Sequence, residues 1–200
     1  MKKSVIILLV IGLLVLVSIV ISIVSFKNSY NKMVTMDEAV SSQWAQVENV
    51  YQRRLDLIPN LVNTVKGYAT HERETLEGVI EARAKATQVT IDPSKLDAAS
   101  IKSFQETQGG LSSALGRLMV VMEQYPDLKA NQNFRDLQAQ LEGTENRIAV
   151  ERGRFNEAAM GFNAYIRKFP NILYAGMFGF EKKAYFEAEK AAAKAPEVQF

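Results

Sequence analysis

Cysteine is absent from the 200 residues, and histidine occurs once, at His71. The first absence excludes disulfide frameworks, iron–sulfur clusters, Cys-ligated zinc and a thiol nucleophile. It leaves the compartment open, because a chain without thiols is safe on either side of a membrane. The second excludes any site that needs two imidazoles. Proline is scarce, with five residues, and glycine is modest, with eleven, so the chain is neither collagen-like nor a low-complexity linker. Hydrophobic residues at 48% and charged residues at 23% describe ordinary globular material for one or two domains. No basic run or basic helix face stands out, which argues against a nucleic-acid partner.

Charge is also missing from one place. All 22 acids lie after Phe26, as do 22 of the 24 bases, so the body is neutral and the net +2 belongs to Lys2 and Lys3. Between them, Val5 to Phe26 (VIILLVIGLLVLVSIVISIVSF) carries no charge and is interrupted only by Gly12 and three serines. At about 1.5 Å per residue it spans the roughly 30 Å hydrocarbon core of a bilayer. The serines cost little, since each can bond its own helix backbone. The run exceeds the roughly 7–15 residues of a signal-peptide core, and no A-x-A-like site follows, so an uncleaved anchor is expected. Lys2 and Lys3 before the span balance Lys27 and Lys32 after it. The MKKS start resembles a signal anchor that would export the body to the outer, periplasmic face of the inner membrane; because the flanking charges tie, a body on the cytoplasmic face is the alternative.

The body reads as helical throughout. Val40, Trp44, Val47, Tyr51, Leu55, Ile58, Val62, Val65, Ala69, Leu76 and Val79 recur at steps of three and four, provided that Glu72 fills one gap. Such a first helix, about 32–87, would run about 80 Å. Pro59 within it predicts a kink near Arg54–Leu55. A second helix, about 94–125, carries a stripe of Ile101, Phe104, Gln108, Leu111, Leu115, Leu118, Met122 and Tyr125; a third, about 133–169, carries Phe134, Leu137, Leu141, Ile148, Phe155, Ala159, Phe162, Ile166 and Phe169. A short fourth helix is expected over about 181–193, after an apolar NILYAGMFGF loop. No segment alternates with period two. The expected architecture is all-α: a basic tail at 1–4, one transmembrane helix at 5–26, and a four-helix antiparallel bundle over 27–200.

RRLDLIPNLVNTVKGYATHE (Arg53–Glu72), YPDLKANQNFRDLQAQLEGTENRIAVERGRFN (Tyr125–Asn156), the Phe169–Pro170 pair and the closing YFEAEKAAAKAPEVQF together resemble the LemA family. The resemblance runs from about Lys32 to Phe200. It implies a membrane anchor followed by a long-helix bundle, and it brings no catalytic mechanism. Phe155 stands where the resemblance leads one to expect tyrosine, which removes a hydroxyl.

Catalytic templates fail one by one. His71-Glu72 resembles the opening of H-E-x-x-H, but position 75 is Thr and no second histidine follows. G-x-S-x-G, P-loop and dinucleotide fingerprints are missing. Polar residues on the apolar stripes form the more specific set: Glu72 on the first helix, and Glu145 and Arg152 on the third. Di-metal bundles use Glu-x-x-His pairs, which this sequence lacks. Glu72, Glu145, Arg152 and Asn156 are therefore expected to form a structural polar layer in which Arg152 pairs with Glu145 or Glu72. Asn60, Asn63, Asn146 and Asn163 belong to the same category, bonding across helices or to the carbonyl that Pro59 frees. No catalytic, cofactor or metal residue is expected.

Two surfaces remain. Leu173, Tyr174, Met177, Phe178 and Phe180 of the apolar loop form a patch that tucks under the bundle or meets a partner or membrane. Met33, Val40, Trp44 and Val47 lie on a membrane-proximal stalk that the shorter returning helices would leave bare. The third helix should deliver the apolar loop to the distal end, so a second copy is expected to cover the stalk and give a homo-oligomer. The functional expectation is a membrane-anchored interaction or scaffold protein with an unknown membrane or envelope partner. The alternatives are an envelope-associated enzyme or accessory subunit using the Glu/Arg layer, and a membrane-organising homo-oligomer. Intact-mass measurement of membrane-extracted protein checks the anchor. The expected mass includes Val5–Phe26; a chain starting after about residue 20 would make this a secreted bundle.

Overall fold

The apolar span and the first helix of the body are one helix. In the computed structural model, which describes residues 3–69 and 71–187, α1 runs unbroken over Lys3–Lys66. It is followed by α2 (Arg73–Gln88), α3 (Ala98–Met122), the short α4 (Pro126–Ala130), α5 (Gln132–Arg167) and α6 (Asn171–Phe178). The chain is all-α, with no strand among the described residues. Among the described residues it has six helices, where one transmembrane helix and four bundle helices were expected. Of the tail at 1–4, residues 1 and 2 lie outside the described residues, and α1 has already begun at Lys3.

Helix one is divided where the stripe had its gap. Gly67, a weak helix former, opens a turn in which the Val65 carbonyl accepts both the Tyr68 and the Ala69 N–H at 2.9 Å. Glu72 then stands at the N-cap position of α2, without a capping bond from its side chain, instead of filling a buried position. Pro59 does not end α1. It leaves the Leu55 carbonyl without its i+4 donor, and Arg83 of α2 supplies one, its Nε donating to that oxygen at 2.9 Å. The partner is thus an arginine on the next helix, where an asparagine amide was expected.

This extra break changes the direction of everything downstream. α2 returns antiparallel to α1, α3 runs outward again beside it, and α5 comes back along almost the whole of the α1 body. Asp97 caps α3 by accepting the Ser100 N–H at 2.8 Å, and Asn131 caps α5 by accepting the Phe134 N–H at 3.1 Å. The Ser100 bonds hold the Asp97 carboxyl below its ordinary range. The stabilisation from that cap is therefore present above the ordinary carboxylate value and lost as acidification passes through the lowered one.

Two apolar cores result. The distal one joins Leu55–Val65 of α1 and Ala69 of the following turn to α2, the second half of α3, Leu128 and the start of α5. The proximal one gathers Met33, Val40, Trp44, Val47 and Tyr51 with Phe104, Phe155, Phe162, Ile166, Ala175 and Phe186. The stalk residues Met33, Val40, Trp44 and Val47 are fully buried within their own chain. They are not a bare surface awaiting a second copy, because α5 brings the chain back to the membrane-proximal end rather than the distal one.

Two further segments differ from expectation. The apolar loop is helical as α6, and Gly179 (φ 72°) ends it in the left-handed conformation that glycine adopts without strain. Glu181–Glu187 is extended, not helical, because side chains of α3 and α5 occupy the backbone groups a helix would need. The rest of the expected fourth helix, 188–193, lies outside the described residues. Trp44 lies at the centre of the proximal core, against Phe104, Phe155 and Phe186. Trp44→Ala is expected to cost about 3–5 kcal/mol in denaturant unfolding of the detergent-solubilised chain. Leu173→Ala, at an exposed position, should stay within about 0.5 kcal/mol.

Candidate functional site

Arg54 occupies a buried position of α1 that the stripe assigns to an apolar residue. From Val40 the buried seam runs Trp44, Val47, Tyr51, Arg54, Ile58, Leu61 and Val65, alternating steps of four and three. The guanidinium, 2% exposed, donates from Nη1 to Ser112 Oγ and to Glu145 Oε2, both at 2.9 Å. From Nη2 it donates to the Gln108 side-chain oxygen at 2.6 Å. It also lies 5.1 Å from the centroid of the Tyr51 ring. Gln108 and Thr144 are buried at the same level on α3 and α5. Together they separate the two apolar cores. These bonds meet Nη1 and Nη2, while the buried Nε has no hydrogen-bond partner among the described residues; a buried charge of this kind is tolerated because most of its donors are met.

A second polar array holds the extended segment. Asn163 makes a paired amide clasp with residue 183: Nδ2 donates to the Lys183 carbonyl at 2.8 Å, and Oδ1 accepts the Lys183 N–H at 2.9 Å. Asn156, seven residues earlier on α5, clasps Phe186 in the same way, at 3.0 and 2.9 Å. Gln105 of α3 brackets Glu187, while the Leu96 carbonyl accepts the Ala184 N–H. These contacts thread the segment between α3 and α5 and insert Phe186 into the aromatic box around Trp44. Trp44 Nε1 has no hydrogen-bond partner in that box among the described residues, and Phe155 offers it only a ring. The Lys183 ammonium closes the strap onto α1 through Asp37 at 2.8 Å.

The expected layer of Glu72, Glu145, Arg152 and Asn156 is not one site. Glu72 is at the distal end, where it accepts the Tyr125 hydroxyl at 2.8 Å. That bond favours the neutral phenol and raises the Tyr125 pKa, so its contribution is lost as pH rises through the raised value. Glu145 pairs with Arg54, not with Arg152. Arg152 donates to the Glu187 carbonyl at 2.7 Å and lies over the Phe186 ring. Arg54 was the residue missed. The uninterrupted alternation of threes and fours passes through position 54, whereas choosing Leu55 required an irregular step. Of the patch residues, Tyr174 and Phe178 meet Phe26, and Phe178 and Phe180 meet Tyr30, at the base of the body.

Two clefts are shallow and open to solvent. One of about 410 Å³ lies beside the strap, bordered by Asp97, Lys102, Gln105 and Lys182. Another of about 630 Å³ lies between α2 and α3, where Lys85 pairs with Glu81 along its own helix.

The LemA family model matches residues 43–200. The chain belongs to the LemA family. Among LemA-family relatives, the magnetosome protein MamQ of Magnetospirillum gryphiswaldense is 30% identical over 198 residues, covering 88% of this chain and 72% of the relative. Magnetosome protein MamQ 1 of Paramagnetospirillum magneticum is 30% identical over 196 residues, covering 90% and 72%. Protein LemA of Metamycoplasma hominis is 23% identical over 160 residues, covering 80% and 69%. The LemA match includes Arg54, Gln108, Glu145 and both clasping asparagines.

Thermal unfolding of variants checks the layer. Arg54→Ala strands the buried Gln108 oxygen and should cost about 1–3 kcal/mol beyond the lost packing. Glu145→Gln should cost less than about 1 kcal/mol, because its carboxylate is 53% exposed and solvent-screened. Arg54→Met combined with Gln108→Leu should recover most of the loss, since it removes both polar partners together.

Proposed function

We propose that this LemA-family chain is a single-pass, membrane-anchored interaction protein without catalytic activity of its own. Its body stands on the outer face of the cell membrane and presents the bundle surface to a membrane or envelope partner. One observation carries the reading: α1 passes from the apolar run into both cores as a single 64-residue helix, about 96 Å long. Ile6–Val24 is exposed and apolar along its length, without packing from the rest of the chain. A continuous helix transmits the orientation of the span directly to the body, which suits a protein that positions a surface relative to a bilayer. The magnetosome proteins among its relatives are named for a cellular structure rather than for a reaction, which accords with this role.

The alternative, catalysis through the Glu/Arg layer, has less support. Arg54 donates to Gln108, Ser112 and Glu145, and Glu145 borders neither of the two clefts described above. Photo-crosslinking from exposed positions of α2, α3 and α5 in intact membranes, followed by mass spectrometry, tests the two readings together. The expected result is a defined set of adducts that persists, with the cellular phenotype, in the Arg54→Met/Gln108→Leu chain. A well-folded variant that keeps its adducts but loses the phenotype would assign the layer a chemical role instead.

A further inference from the structure

We infer that α6 is a second membrane contact: an interfacial helix lying against the same bilayer that α1 crosses. The inference rests on the reading of the apolar run as a span. From Ile6 to Phe26 the helix rises about 30 Å, the thickness of a hydrocarbon core, so the bilayer boundary falls at Phe26. The Phe26 ring lies 5.0 Å from Tyr174 and 5.3 Å from Phe178, and Tyr30 lies 4.6 Å from Phe178. These contacts pin α6 to the boundary, at the depth where aromatic side chains collect.

The composition of α6 fits that position. NILYAGMF carries no charge. Asn171 and Ala175 are buried toward the bundle, while Ile172, Leu173 and Met177 are 52%, 58% and 72% exposed, and the preceding Phe169 is 82% exposed. Positions 172, 173 and 177 fall on one side of α6 at helical spacing, and Phe169 lies in the turn just before it. An apolar face of this kind is rarely left in water. Lys27, Lys32, Arg167, Lys168 and Lys182 are exposed around it, with Glu181 the acid among them. A basic collar attracts anionic headgroups. It would repel the same collar on a second copy, so the surface fits a lipid bilayer better than itself.

Because the chain has no cysteine, single cysteines introduced at Leu173, Met177, Leu14 and Val150 of the full chain can each carry an environment-sensitive fluorophore. The labelled proteins are reconstituted into vesicles of phosphatidylcholine and phosphatidylglycerol containing lipid with a nitroxide near the headgroup or deep in the acyl chain. An interfacial helix sits roughly 5–10 Å into the boundary, so labels at Leu173 and Met177 should lose about half their emission to the shallow nitroxide and clearly less to the deep one. Leu14 should show the opposite preference, and Val150 should respond to neither. With Leu173→Glu and Met177→Glu together, a label at Ile172 should lose its response. If Leu14 is quenched while Leu173 and Met177 behave like Val150, the proposal fails and the span stands. Labels there that are shielded from both lipid and aqueous iodide would mean a protein covers α6, which also overturns it. An unquenched Leu14 would remove the span itself.

Discussion

A single buried guanidinium sets the register of this bundle. Arg54 stands in an apolar seam, and taking its charge out of water is favourable only where Gln108, Ser112 and Glu145 converge on it. Sliding α3 or α5 by one turn along α1, about 5.4 Å, would still set apolar stripe against apolar stripe, but it would strip the arginine of its acceptors and part Trp44 from Phe104 or Phe155. Apolar stripes alone tolerate such slips. The polar layer does not, and each core on either side of it is aligned as a consequence.

The proximal half depends on a different device. α2 and α3 are joined near mid-body, so between that junction and α6 at the base the groove between α1 and α5 has no third helix to fill it. The extended strap takes that place. Its main chain would be unsatisfied beside helices whose own backbone bonds are complete, and side-chain amides make up the difference. Asn156 and Asn163, two turns apart, meet residues 186 and 183 of a chain running the opposite way. Phe186 then closes the aromatic box on Trp44, so packing and hydrogen bonding at this end reinforce each other.

These features describe a rigid body with its polar chemistry turned inward. On the readings proposed above, the continuous α1 and the helix at the base would couple the bundle to the bilayer at more than one point, with the clasped strap tying α3 and α5 together. A surface held this way can present partners at a fixed height and angle, which is the physical content of the interaction role proposed above.

The all-α class, the apolar span and most core positions follow from the sequence by itself, because period and charge are local properties that any one segment displays. Trp44, Phe104, Phe155 and Leu118 lie where their stripes place them. The partners of the polar residues are not local. Glu145 and Arg152 look equivalent along α5, seven residues apart, yet one meets Arg54 and the other meets the strap. The turn at Gly67 was concealed because Glu72 could stand in for an apolar residue in a periodic reading. That one turn reversed the parity of the chain, carried α6 to the membrane end and buried the stalk. Only tertiary structure could decide it, since whether a helix breaks at a marginal glycine depends on what packs against both halves once they have folded back.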